Sequence, residues 1–236
     1  MRLRFGLKSP HLRGEKDLRK LLDGIIEFRK TVRPGFRETF AKLALGQSPD
    51  ALFIACSDSR VAPNVFASTD PGDLFVVRNV GNMIPACGSD GMSAGDESEA
   101  AAIEFALRNL SVKDIVVCGH SECGAMQALV NGLKGLDLPH LKLWLGTGLP
   151  ALEKLARGEL LDSHLAPHNC LSQLNVIEQM ANLMTYPIVK EKVLKGKLRI
   201  HGWWFDIANA EVQVYAPQLK RFVVLDESYV AAYETP

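Results

Sequence analysis

The sequence predicts an α/β fold of three layers. Helices cover both faces of a mostly parallel central sheet, an N-terminal helical arm precedes it, and edge strands follow at the C-terminus. Two observations predict this. Three short apolar runs, ALFIAC at 51–56, LFVV at 74–77 and IVVC at 115–118, are each bounded by polar or Gly/Pro residues, the pattern of strands buried on both faces. Between the second and third lies an Ala-rich stretch from Glu97 to Leu110, with Ile103 and Leu107 one helical turn apart. That makes a crossover helix and a βαβ unit.

The remaining elements follow in chain order. Leu18, Leu21, Leu22, Ile25 and Ile26 fall on one face of a helix. Phe36, Phe40, Leu43 and Ala44 resume the pattern after a break at Pro34-Gly35. Two helices are therefore expected before the first strand, resting on their own core or on a partner subunit. A helix is expected from Cys123 to Val130, and another around Leu171 to Met184. Apolar runs between Leu198 and Leu225 predict further strands, antiparallel at the sheet edge. With no internal repeat or linker, residues 1–236 read as one domain, an arm over 1–46 and a core over 47–236.

Composition narrows the partners. The 236 residues are 47% hydrophobic and 23% charged, with 27 basic and 27 acidic side chains. That is ordinary globular usage, and the balanced charge argues against a nucleic-acid partner. No apolar run approaches the roughly 20 residues that span a bilayer. Met1 to Lys20 is basic and lacks the apolar stretch of a secretory signal. Five cysteines, an odd number in a long chain, fit a reducing, cytoplasmic compartment better than a disulfide scaffold.

Open α/β sheets gather ligands at the carboxyl ends of their strands. There the first and third runs continue into CSDSR at 56–60 and GHSECG at 119–124. His120 and Cys123, spaced i, i+3 at a strand-to-helix turn, can face one ion, and Cys56 can supply a third ligand. One nitrogen and two sulfurs suit Zn2+, and three protein ligands leave a tetrahedral position open, as catalytic zinc requires. The HxxC pattern is weak alone; its placement beside the Cys56 segment makes it specific. Arg60 offers a planar fork that keeps a carboxylate at Asp58 ionised and oriented.

With these two segments in place, the chain resembles the β-class carbonic anhydrases. The likeness continues through Gln47-Ser48-Pro49, Pro71-Gly72-Asp73-Leu74-Phe75, Val77-Arg78-Asn79, Ala102-Ile103-Glu104-Phe105 and His201-Gly202-Trp203. The resemblance implies reversible hydration of carbon dioxide to bicarbonate by zinc-activated water. One zinc ion per chain would be held by Cys56, His120 and Cys123, with Asp58 and Arg60 as the catalytic dyad. Gln47 and Phe75 would line the carbon dioxide pocket, often across a dimer interface, so a homodimer or an assembly of dimers is implied. Phe105 stands where plant-type members carry Tyr, leaving the pocket one hydroxyl short. Gly124 would turn its backbone N–H toward an anion. Some members close the metal with the aspartate and hold bicarbonate at a remote inhibitory site built on a Trp and a Tyr. Phe53 and Phe205 occupy those positions, which implies the open form without that site. The Ala86–Glu99 segment is longer and more acidic than is usual, a mobile flap or inert surface.

Three rival readings share parts of this pattern. A nucleobase deaminase shares the His120-Ser121-Glu122 pattern but needs a PCxxC that the chain lacks. A hydrolase of carbon disulfide or carbonyl sulfide could keep the same metal site. A non-catalytic zinc or thiol regulator could use Cys56 and Cys123 as a redox pair. Other residues read as ordinary. Cys118 is expected in the core, and Cys87 and Cys170 as simple thiols. His164 and His168 are expected in a solvated loop because Pro167 separates them. Trp203 and Trp204 are expected in the core or an interface, and Gly146 with Gly148 does not complete a nucleotide fingerprint.

Overall fold

Strand β1 (Ala51–Cys56) is buried at every position, and β3 (Asp114–His120) at every position but the first. The apolar runs they contain, 51–56 and 115–118, are what two covered faces demand. The computed structural model describes residues 18–95 and 97–233. The chain divides into two units, Met1–Gly46 and Gln47–Pro236.

In the first unit, α1 (Arg19–Glu27) and α2 (Arg33–Leu43) are joined by a π-helical turn over Phe28–Val32. The irregularity therefore falls one turn before Pro34 rather than at it. Proline has no N–H for the carbonyl four residues back, and its ring crowds that carbonyl. A wider turn relieves both problems, and the Thr31 hydroxyl donates to the Glu27 carbonyl at 2.8 Å.

In the second unit the described residues form a sheet in the order β2-β1-β3-β4-β5-β6. Its further strands are β2 (Leu74–Asn79), β4 (Arg199–Asp206), β5 (Glu211–Ala216) and β6 (Arg221–Val224). The first four strands in this order run parallel, and β5 and β6 are antiparallel. Two expectations are corrected. β2 is an edge strand with half-buried and exposed positions, because only one neighbour covers it in the single chain. The first strand of the C-terminal segment, β4, is parallel to β3, since the long helical connection before it allows a crossover.

The helices of this unit are α3 (Pro63–Phe66), α4 (Glu97–Arg108), α5 (Gly124–Val130), α6 (Pro139–Leu145), α7 (Leu149–Ala156), α8 (Pro167–Leu183), α9 (Pro187–Leu194) and α10 (Glu227–Tyr233). Alternate strand residues separate the core into two sides, as a period of two requires. Leu52, Ile54, Ile115 and Val117 meet Ile103 and Leu107 of α4, Val176 and Leu183 of α8 and Val189 of α9. Phe53, Ala55, Val116 and Cys118 meet Phe205 and the half-buried Phe66 and Trp203 on the other side. Each fully buried large side chain contributes about 1.5–3 kcal/mol.

α8 lies hard against the sheet beside the carboxyl end of β3. A Cβ on Gly119 would stand 2.7 Å from the Val176 side chain, and one on Gly202 would stand 2.7 Å from the Met180 sulfur. Only glycine permits this approach. The Trp204 indole N–H donates to the Ser172 hydroxyl at 3.1 Å, and that hydroxyl donates to the His120 carbonyl at 2.8 Å. Among the described residues no helix is long and apolar enough to cross a membrane.

Candidate metal centre

β1 and β3 run parallel with Ala55 opposite Cys118, so Cys56 and His120 emerge at the same end of the sheet. Cys123 is the residue that caps α5, in an extended conformation. Between the last two, Glu122 takes a left-handed backbone conformation, φ +57°, which turns the chain back on itself. The donor atoms of Cys56, His120 and Cys123 all lie within 4.8 Å of one another, and all three residues are buried.

The hydrogen bonds say what the cluster lacks. His120 Nδ1 lies 2.8 Å from the Ser121 carbonyl, so that nitrogen carries the proton. Nε2 therefore presents a lone pair, and it is buried without a hydrogen-bond partner. Leaving such an atom bare costs about 1–3 kcal/mol; a cation removes the deficit. A second contact that fixes the tautomer is the usual support of a metal-ligating histidine.

The sulfurs agree. A hydrogen bond from the Cys123 thiol, with others from the backbone N–H groups of Gly81 and Asp58, holds the Cys56 thiol down to about 4 against the opposing effect of burial. The Gly81 N–H lies 3.4 Å from Cys56 Sγ. Cys123 is pushed up, because its proton is held by the adjacent Cys56 sulfur and because it is buried. The pair shares a proton that a metal ion would replace. The residues present fit zinc.

Asp58 and Arg60 form a fork beside this triplet. Arg60 Nε donates to Asp58 Oδ1 at 2.9 Å and Nη2 to Oδ2 at 2.7 Å, while the Arg60 backbone N–H donates to Oδ1 at 3.0 Å. The guanidinium holds the Asp58 carboxyl far below the usual carboxylate range. Asp58 Oδ2 stands 4.0 Å from His120 Nε2, so the carboxylate faces the space next to the bare lone pair. Arg60 Nη2 also donates to the Glu122 carbonyl at 2.9 Å, which ties the two motif loops together.

Sequence reasoning assigned no role to several residues that shape the site. Arg78 of β2 donates to the Cys56 carbonyl at 3.0 Å and to the Asp58 carbonyl at 2.7 Å. Its signals were a charge directly after the apolar run 74–77 and its place in the Val77-Arg78-Asn79 segment. The Asn79 side chain closes the 79–83 loop through Met83 N–H (2.7 Å) and Met83 carbonyl (2.8 Å). Asn175 of α8 holds the Gly81 carbonyl at 3.1 Å. Gly81 has φ +83°, and a Cβ there would meet Ala125 at 3.0 Å.

The structure does not bring every expected residue to the triplet. Gln47 precedes β1 at the end remote from Cys56. Phe75 pairs with Leu52, while Asn79 pairs with Cys56. Four residues of strand, about 13 Å, therefore separate Phe75 from the level of Cys56. Phe75 stacks on Phe105 with ring centroids 5.8 Å apart, and Phe105 is exposed. Gly124 opens α5 with nothing near its α-carbon that a Cβ would touch. Phe53 packs edge-on against Trp203 at 5.7 Å, and Phe205 stacks on Phe66 at 4.7 Å.

His168 is corrected. Pro167 starts α8 rather than breaking it, as proline does well at a first helical position. His168 Nε2 lies 3.2 Å from Glu122 Oε2. His164 stays in an exposed loop, where its N–H donates to Asp162 at 2.9 Å. Cys118 is buried in the core, Cys87 is half-buried and Cys170 is buried. Trp204 is buried and Trp203 half-buried. The 86–99 segment, whose Asp96 lies outside the described residues, is stitched by Gly88 N–H to Met92 carbonyl (2.7 Å) and Ala94 N–H to Ala86 carbonyl (2.8 Å). It is moored to α8's end by Cys87 N–H donating to Thr185 at 2.7 Å.

A buried Cys–His–Cys triplet at the carboxyl ends of parallel strands, with an oriented carboxylate alongside, defines a zinc enzyme of the α/β class. Residues 51–212 match the family model for carbonic anhydrase, and the chain belongs to that family. It is 40% identical to the carbonic anhydrase of Pseudomonas aeruginosa over 210 residues, 89% of this chain and 93% of that protein. The solved β-carbonic anhydrase CcaA superposes with a TM-score of 0.80 and 38% identity, over 88% of this chain and 99% of that one. A structure from a study of two tetrameric β-carbonic anhydrases of Sordaria macrospora gives 0.72 and 30%, over 84% and 95%. The class is β, the cofactor is zinc, and the reaction is the reversible hydration of carbon dioxide.

Proposed function

We propose that Cys56, His120 and Cys123 hold the catalytic zinc and that Asp58 and Arg60 direct the attack on carbon dioxide. The observation that carries this is the bare, buried His120 Nε2 within the triplet, with Asp58 Oδ2 4.0 Å away. Bound zinc supplies a Lewis acid that lowers the pKa of a water ligand to about 7. The chain's residues do the rest. Asp58, kept ionised by the Arg60 fork, can only accept a hydrogen bond. It would accept a hydrogen bond from the attacking oxygen and so hold that oxygen with a lone pair toward the substrate carbon. Arg60 also keeps Asp58 engaged, which supports the open form of the site. In this reading the Gly124 N–H, at the start of α5, would be the donor to the product anion. Two thiolate ligands add negative charge, so activity rises with pH.

Gln47, Phe75 and Phe105 line the pocket of a second subunit in this reading. Their distance from the chain's own Cys56 supports it, as does the exposed Phe105 ring. Homodimers, or assemblies of dimers, follow in this reading; the Sordaria macrospora enzymes are tetrameric. Phe53 and Phe205 are engaged in aromatic packing, which supports the absence of a remote bicarbonate site. Five free thiols fit a cytoplasmic setting. A redox pair at Cys56 and Cys123 would have no use for the Asp58–Arg60 fork.

Zinc content and carbon dioxide hydration measured on the same preparation test the assignment. Wild type should hold one zinc per chain and hydrate carbon dioxide, and Cys123→Ala should lose both. Full zinc in Cys123→Ala would remove Cys123 from the ligand set.

A further inference from the structure

We propose that Asn169 is a positioning residue that locks the loop carrying His120 and Cys123 into its metal-binding shape. The inference rests on the ligand assignment above and deepens it.

The loop needs a lock. Only Ser121 and Glu122 separate the two ligands, and Glu122 sits at φ +57°, a region that side-chain-bearing residues occupy at an energetic cost. Glycine would adopt it freely, yet the chain places glutamate there. Every polar group of residue 122 is then gripped from outside its own loop. Asn169 Oδ1 accepts the Glu122 N–H at 2.8 Å, and Asn169 Nδ2 donates to Glu122 Oε1 at 3.0 Å. His168 Nε2 meets Oε2 at 3.2 Å, and Arg60 donates to the carbonyl at 2.9 Å. The Asn169 amide thus pairs with the backbone and the carboxylate of one residue at once. Asn169 is over nine-tenths buried, which makes both bonds costly to lose.

The same helix holds the loop a second time. Ser172, one turn on from Asn169, donates to the His120 carbonyl at 2.8 Å. One face of α8 therefore fixes the backbone on both sides of Ser121. The Glu122 carboxylate is engaged with α8, so it does not play the acid–base part that the HxE pattern suggested. Its role is to be the handle by which α8 grips the turn.

Zinc affinity, measured by competition with a chromophoric chelator on the full chain, tests this. The visible spectrum of the cobalt-substituted protein reports ligand geometry independently. Asn169→Asp keeps the acceptor for the Glu122 N–H but sets a second carboxylate against Glu122. It should weaken zinc binding about 10- to 100-fold, the usual effect of losing a support of this kind, and shift the cobalt spectrum. Adding Glu122→Gln restores a donor–acceptor pair and should recover both readouts. If Asn169→Asp fails to fold, Asn169→Ala compared with Asn169→Ala/Glu122→Gly gives the answer: glycine needs no lock, so the double variant should bind zinc more tightly than the single. Unchanged affinity in Asn169→Asp, or no recovery in either double variant, overturns the proposal. Cys123→Ala distinguishes the two levels, because loss of zinc there with no effect at Asn169 leaves the ligand assignment standing and removes only the lock.

Discussion

Asp58→Asn isolates the carboxylate from the metal. The substitution keeps shape and removes charge. If Oδ1 stays where it accepts the Arg60 backbone N–H at 3.0 Å, the new amide nitrogen falls where Oδ2 was, 2.7 Å from Arg60 Nη2. Two donors then oppose each other, and the fork must open. If the amide flips, it loses the acceptor for the backbone N–H and for Nε. Either way the group beside His120 Nε2 can no longer accept and stay oriented. Removing one preorganised partner of a reacting oxygen costs about 2.7–4 kcal/mol, or about 10²–10³ in rate. Stopped-flow hydration with a pH indicator should therefore show kcat/KM lower by about two to three orders of magnitude. Zinc should remain at one per chain, since the donor triplet does not include Asp58. Hydration within about threefold of wild type would refute the orienting role, and loss of zinc would mean that Asp58 holds the metal.

Two further expectations concern the support of the site. Asp114 receives Arg199 Nε at 2.7 Å, Arg199 Nη2 at 2.8 Å and His201 Nε2 at 2.7 Å; burial raises its carboxyl, but these partners outweigh burial and hold it below the ordinary value. A depressed carboxylate adds stability above its unfolded pKa, about 4, and loses it as pH falls through the folded value. Asp114→Asn should thus cost about 1–2 kcal/mol at pH 7 in urea denaturation; the gap to wild type should close in acid, and a pH-independent gap would contradict the ion-pair account. Gly119→Ala would drive a Cβ to 2.7 Å from Val176 and 3.1 Å from the Ser172 hydroxyl, an overpacking of about 1–3 kcal/mol; a clear drop in Tm is expected, and an unchanged Tm would show that α8 is free to move.

What was legible in the sequence was what is local. β1 and β3 announced themselves because strands covered on both faces are apolar throughout, and their polar continuations at 56–60 and 119–124 pointed to the ligands. β2 looked the same, and nothing in LFVV reveals that it lies at an edge; sheet order is a property of the whole chain. The parallel direction of β4 was hidden for the same reason. Arg78, Asn169 and Asn175 left little trace because their partners are 20 to 94 positions away, and an asparagine on a helix carries no pattern of its own. The place of His168 is not legible because a proline that breaks a helix and one that opens it, as Pro167 does, read the same in one dimension. Phe75 shows the opposite case: the resemblance named it, and only the register of β2 against β1 shows how far it stands from the chain's own Cys56.

X-ray absorption at the zinc edge of the native protein addresses the central claim most directly. Two sulfur scatterers near about 2.3 Å and one imidazole nitrogen near about 2.0 Å are expected, with a light oxygen completing four. Cys56→Ser should remove one of the sulfurs. A shell of four protein ligands with no solvent oxygen, or fewer than two sulfurs in the wild type, would contradict the account.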